Sequence, residues 1–231
     1  MGDTAVGQDG GSYVRGLGRG ALITTAAVMV NSLVLVVFMW YMTFELLRAG
    51  DPVLVNIIAS TVRSLTLAFH TWGLHKFFKR GYSVRSVDEV VKSFGTLELI
   101  NSAALLAFYV GTLASFEELG VPADLGSALI YVKLGVLIIF AAGFVIYMRK
   151  KPTQRDYETI RKQVRDLVTL AMIDSTTVAI FMWLTLLSLN ENGDSRTASL
   201  GIFAILHTLT LMEIFLLVLL NRPKRQKPTS G

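Results

Sequence analysis

The chain has 231 residues, is 52 % hydrophobic and contains no cysteine. This excludes disulfides, thiolate chemistry and cysteine-based metal sites, and it favours a polytopic membrane protein over a soluble domain. The formal net charge of +5 would suit nucleic acid in a soluble protein, but the basic residues cluster where membrane topology needs them, so no nucleic-acid partner is expected.

Residues 1–20 are polar and glycine-rich, lack the apolar core of a cleaved signal, and read as a flexible N-terminal tail. The opening "MGDTAV" has valine where a myristoylation signal needs Ser or Thr. Six apolar segments follow, each close to the roughly 20 residues that a hydrocarbon core of about 30 Å requires. They predict an all-α integral membrane protein with six transmembrane helices.

The first span covers residues 21–44 and carries Asn31. The second, 53–75, carries Asn56, Ser60, Arg63, Thr66 and His70 at three- and four-residue steps, which places them along one helical stripe. "SVDE" at Ser86–Glu89 has the pattern of a capping box and predicts a helix start ahead of the third span, 91–116. That span lines up Glu98, Asn101, Ser102, Tyr109 and Thr112. The fourth, 125–148, holds Lys133. In the linker that follows, Pro152, Thr153 and Asp156 precede Tyr157, Ile160, Val164 and Leu167 on one face, so the fifth helix should begin before its span at 167–189. Asp174, Thr177, Thr185 and Ser188 share a face of that span. "ENGD" at Glu191–Asp194 is a turn, the sixth span, 198–220, carries His207 and Glu213, and residues 222–231 form a basic tail.

Of the 22 Lys and Arg residues, eighteen fall in the two termini and in the connections after spans two and four, counting Lys92 at the very start of the third span with the connection before it. Arg48 and Arg196 are the only ones in the other connections, and Arg63 and Lys133 lie inside spans. Positive charge is retained on the cytoplasmic side, so both termini are expected there, in a plasma (cytoplasmic) membrane, with anionic lipid head groups as partners of that face. Spans one and four, and three and six, are loosely alike, which leaves an inverted repeat open.

An ionisable side chain at the bilayer centre costs about 2.5–3.5 kcal/mol on insertion scales, so each needs a partner, a wet cavity or a bound proton. At about 1.5 Å per residue, Arg63 lies about 15 Å below the outer boundary, with Asp174, His207, Asn31 and Asn101 in the same layer. Arg63 with Asp174 is the expected ion pair. Glu98 and Glu213, if adjacent, could not both ionise cheaply, and His70 could share their proton. Lys133 either joins this set or extends its long stem to the outer interface. The Ser and Thr positions suit interhelical hydrogen bonds.

Haem b would need His70 and His207 at matching depth, which their positions do not give. His207, Glu213 and Asp174 could hold zinc only if they converge, so no cofactor and no metal site is expected. A retinal Schiff base on Lys133 fits poorly with six spans. Protease, phosphate-loop, selectivity-filter and voltage-sensor patterns are missing, so no enzyme is expected. The leading expectation is a channel or carrier that moves protons, a small cation or a small solute through a polar core. The alternatives are a non-enzymatic sensor, scaffold or subunit of a larger complex, and a haem-binding redox protein. A homo-oligomer or membrane complex is compatible with each.

Overall fold

A computed structural model describes residues 9–80, 84–112, 122–149, 157–191, 193 and 196–220. Among them are six helices and no strand: α1 (Asp9–Ala49), α2 (Leu54–Arg80), α3 (Val84–Thr112), α4 (Ala123–Arg149), α5 (Tyr157–Glu191) and α6 (Thr197–Leu220). α1 starts within the segment expected to be a flexible tail, and α3 starts two residues before the expected capping box. α5 begins ten residues ahead of its expected span, as its apolar Tyr157–Leu167 face predicted. The capping residues Pro152, Thr153 and Asp156 lie outside the described residues.

Among the described residues, five stretches are long and apolar enough to cross a membrane: Ala26–Ala49, Val91–Thr112, Asp124–Arg149, Ala171–Glu191 and Thr197–Leu216. α2, the sixth expected span, is long enough at 27 residues, but its polar stripe lowers its hydropathy below that of the others.

α1 ends in a tight left-handed turn. Gly50 has φ +89°, its amide donates to the Leu47 carbonyl at 3.2 Å, and that of Asp51 donates to Leu46 at 3.0 Å. This paired closure satisfies the last carbonyls of a helix and needs glycine at the left-handed position. Pro52 then prevents continuation, and the chain reverses into α2.

Short connections make successive helices antiparallel neighbours, and the six close into a ring in chain order. Each helix packs on the next, α6 returns to α1, and α3 also meets α5 inside the ring. Most seams are fastened by side chains that carry both an apolar body and a polar tip. Trp40 donates to Ser64 at 3.1 Å between α1 and α2. Asn56 donates to the Phe108 carbonyl at 3.4 Å between α2 and α3. Trp183 donates to Thr208 at 2.9 Å between α5 and α6, and Thr210 to Asn31 at 2.8 Å between α6 and α1.

The end of the bundle nearest the α1–α2, α3–α4 and α5–α6 connections is called the upper end here. Its interior is filled by Leu35, Phe38, Met39 and Met42 of α1, Leu105, Phe108 and Tyr109 of α3, and Val178, Phe181 and Met182 of α5. The Phe38 ring meets those of Phe108, Phe181 and Phe203 at 6.4, 6.4 and 6.0 Å, distances at which tilted aromatic pairs attract.

At Gly95, α3 lies directly against Phe144 of α4. A Cβ there would overlap the Phe144 ring, so glycine is what allows these helices to touch, as small residues do between membrane helices. Gly95→Val is expected to force Phe144 out of its rotamer and destabilise the fold by about 1–3 kcal/mol, the usual cost of overpacking. Thermal unfolding in lipid nanodiscs measures this, and Gly135→Val, at a site with nothing within 4 Å of its Cβ, is the control.

Candidate functional site

α4 shows how the interior becomes charged. Its buried side chains are Leu129, Lys133, Phe140, Phe144 and Tyr147, whereas Tyr131, Val132, Ile138, Ile139 and Ile146 face outward. Lys133 belongs to the inward stripe and is fully buried. Its ammonium pairs with the Asp174 carboxylate of α5, and Ser102 of α3 donates to the same carboxylate at 3.2 Å. The expected partnership of Arg63 with Asp174 is thus replaced by one with Lys133. The long lysine stem reaches inward because it starts on the buried face of α4; from there, snorkelling would have to cross the aromatic packing above it.

Arg63, also buried, turns towards α1 instead. Its Nη2 donates to Ser32 Oγ at 3.5 Å, a long bond, while its Nε and Nη1 meet no hydrogen-bond partner among the described residues. One turn along α2, the Thr66 hydroxyl bonds both the Arg63 carbonyl, at 2.9 Å, and the Asn101 side-chain carbonyl on α3. Asn101 passes the link on, its amide donating to Glu98 Oε2 at 3.4 Å. Glu98 is only half-buried.

Four formal charges therefore share one layer. Glu98 senses Arg63, Asp174 and Lys133, and Lys133 senses Asp174, Glu98 and Arg63. Two cations and two carboxylates sum to zero, the condition under which so many charges can occupy a medium where a pair at 4 Å interacts by about 4 kcal/mol at an effective dielectric constant near 20. The Tyr109 hydroxyl, beside Thr177 and in the field of Asp174, forms the roof of this layer.

The remaining expected residues fall elsewhere. His207 is fully buried on α6, where its Nε2–H donates to the Ser175 carbonyl of α5 at 3.0 Å, leaving Nδ1 without a partner among the described residues. Asn31 accepts from Thr210 in the α1–α6 seam. His70 lies below Arg63 on α2, its ring 4.7 Å from that of Phe94. Glu213 is not brought to Glu98. The inward stripe of α6 is Leu200, Ala204, His207 and Ile214, so Glu213 faces out and is exposed. A shared proton between Glu98 and Glu213, and a metal set of His207, Glu213 and Asp174, have no geometric basis. No group of three metal-ligating side chains converges among the described residues. The side chain of Ser188 lies outside the described residues.

Two partners escaped sequence reasoning, Ser32 and Thr210. Ser32 follows Asn31 directly, and a polar pair in an otherwise apolar span was the available signal. No protein-family model, curated protein or solved structure matches the chain, so the functional reading rests on this geometry.

Removing one member of a buried pair strands the other charge at a cost of about 3–5 kcal/mol, whereas replacing both with apolar residues is often neutral or stabilising. Asp174→Asn should therefore destabilise by about 3–5 kcal/mol, and Lys133→Met combined with Asp174→Leu should recover most of that loss. Arg63→Met is expected to leave the Lys133–Asp174 pair in place. Thermal unfolding of the variants in one lipid composition decides it.

Proposed function

We propose that this chain is a membrane transport protein, a channel or carrier that moves protons, a small ion or a small solute through its charged layer. The observation that carries this reading is the gathering of Arg63, Glu98, Lys133 and Asp174, from four helices, inside a shell of apolar side chains. Such charges are costly in a membrane and are found there chiefly where ions or protons move. Protonation of Asp174 would free Lys133, and re-ionisation would recapture it. The Lys133–Asp174 pair, rather than one with Arg63, is the natural gate between the aromatic packing above and the half-buried Glu98 below.

In this reading α2 is the sixth span. It buries Asn56, Ser60, Arg63, Thr66 and His70 and exposes Leu54, Ile58, Leu65, Phe69 and Trp72. That distribution is unfavourable in water and favourable in lipid. The basic connections support an upper end outside and both termini in the cytoplasm, in the plasma membrane, with anionic lipids at the inner face.

A second reading is favoured by the closed pairing of Lys133 with Asp174: a scaffold or subunit of a larger complex in which the pair only fixes helix register. The double variant Lys133→Met/Asp174→Leu separates the two. A transporter keeps its stability but loses proton or ion flux in proteoliposomes, as does Glu98→Gln; undiminished flux in both variants would sink the gate. Topology is tested on the naturally cysteine-free background. A membrane-impermeant maleimide applied from outside should label Asp51→Cys and spare His75→Cys, and equal labelling would mean that α2 does not cross.

A further inference from the structure

A guanidinium carries five N–H donors and no acceptor. At Arg63, 4 % exposed, one donor makes the long bond to Ser32, and Nε and Nη1 are unmet among the described residues. Donors on a charged group that are taken from water without replacement lose more free energy than neutral ones. Neither carboxylate of the layer relieves this. Asp174 is held by Lys133 and Ser102, and the bond recorded for Glu98 comes from Asn101. The Lys133 ammonium, whose nitrogen also meets no hydrogen-bond partner among the described residues, at least has the Asp174 carboxylate as its ion-pair partner, whereas Arg63 has neither an ion pair nor a short hydrogen bond there.

We infer that Arg63 is the binding point for a small monocarboxylate anion, and that binding is coupled to uptake of a proton by Glu98. A planar fork of N–H donors matches a carboxylate better than it matches a spherical ion. The closed surroundings of Arg63 restrict the ligand to the smallest members of the class. Charge requires the coupling. With all four groups ionised the layer sums to zero, and an added anion then leaves it at one negative charge in surroundings that solvate charge poorly. One proton on a carboxylate restores neutrality, so anion and proton enter as a neutral pair.

Glu98 is the acceptor that the geometry supports. Asp174 already has an ammonium and a hydroxyl on it, whereas Glu98 is half-buried and has one amide bond at 3.4 Å. The other titratable groups around Arg63 are His70 on α2, Lys133 on α4, Asp174 on α5 and His207 on α6. α1 contributes the uncharged Ser32. This inference deepens the transport reading by naming its substrate class and rests on it for flux, while the binding step is measurable separately.

The probe is sodium formate, the smallest carboxylate, titrated calorimetrically into the full-length protein in nanodiscs, with sodium chloride as the control. Two buffers of different ionisation enthalpy count the protons. Wild type should bind formate with uptake of about one proton per anion. Glu98→Gln should still bind, without proton uptake. Arg63→Gln should bind roughly ten- to a hundredfold more weakly, as expected for hydrogen bonds to a charged group. Arg63→Lys, which keeps the charge without the fork, should also weaken binding, and it serves if Arg63→Gln does not fold. The inference is overturned by absence of formate binding to wild type, by unchanged affinity in a folded Arg63 variant, or by proton uptake that persists in Glu98→Gln. Proton flux without formate binding would remove the inference and leave the transport reading, and formate binding without flux would do the reverse.

Discussion

The ion pair between Lys133 and Asp174 is the constraint around which the interior is arranged. Either charge alone at that depth would cost several kcal/mol, so α4 and α5 must keep one rotational and axial register. Ser102 extends the constraint to α3, because its hydroxyl bonds the same carboxylate. Three helices are thus tied at one point, inside the ring, where α3 meets α5. The other seams need only pairwise fasteners, and those that occur are of the weaker neutral kind, worth about 0.6 kcal/mol each between membrane helices.

Arg63 is organised differently, and the contrast is instructive. Asp174 is reached by a lysine, a point charge on a flexible stem, whereas the rigid guanidinium stands apart with donors to spare. Flexible stems find partners that are not directly opposite, and planar forks need partners in their plane. A layer that used the arginine for the structural pair would have left the lysine free. Using the lysine leaves free the group better suited to recognising a planar anion. The α2 stripe that carries Arg63 is otherwise satisfied locally, with Thr66 bonded to the Arg63 carbonyl and Ser60 close to Thr43 at 3.3 Å.

Most of the fold was legible because two periodicities agree. Apolar length marks the spans, and polar residues at three- and four-residue steps mark inward faces: on α2 all five stripe residues, Asn56, Ser60, Arg63, Thr66 and His70, are buried. Depth along a helix was legible only in part: counting residues put Arg63, Asp174 and Asn101 in one layer but Glu98 further in and Lys133 further out, and the structure gathers both with Arg63 and Asp174. Partner choice was not legible. Deciding between Lys133 and Arg63 for Asp174 requires the rotation of α4, and its strongly apolar sequence gives few polar residues from which to read an inward face. The pairing of Glu98 with Glu213 failed for a related reason. Both sit in the inner half of their expected spans, but Glu213 lies about 100° from Ile214 around α6, which is enough to turn it outward.

The upper and lower halves of the interior are unlike, and this bears on which side communicates with the charged layer. Above it, Phe38, Phe108, Tyr109, Phe181 and Met182 are all at most 1 % exposed and close the bundle. Below it, Glu98 keeps partial exposure, and His70 is buried with its ring against that of Phe94. A proton arriving from below meets titratable groups, whereas one arriving from above meets hydrocarbon. Displacing the upper rings means moving α1, α3 and α5 together, because Phe38 packs on both Phe108 and Phe181. α3 and α5 are also the helices that the Ser102–Asp174 bond holds. The aromatic closure above and the Ser102–Asp174 bond below it thus rest on the same two helices.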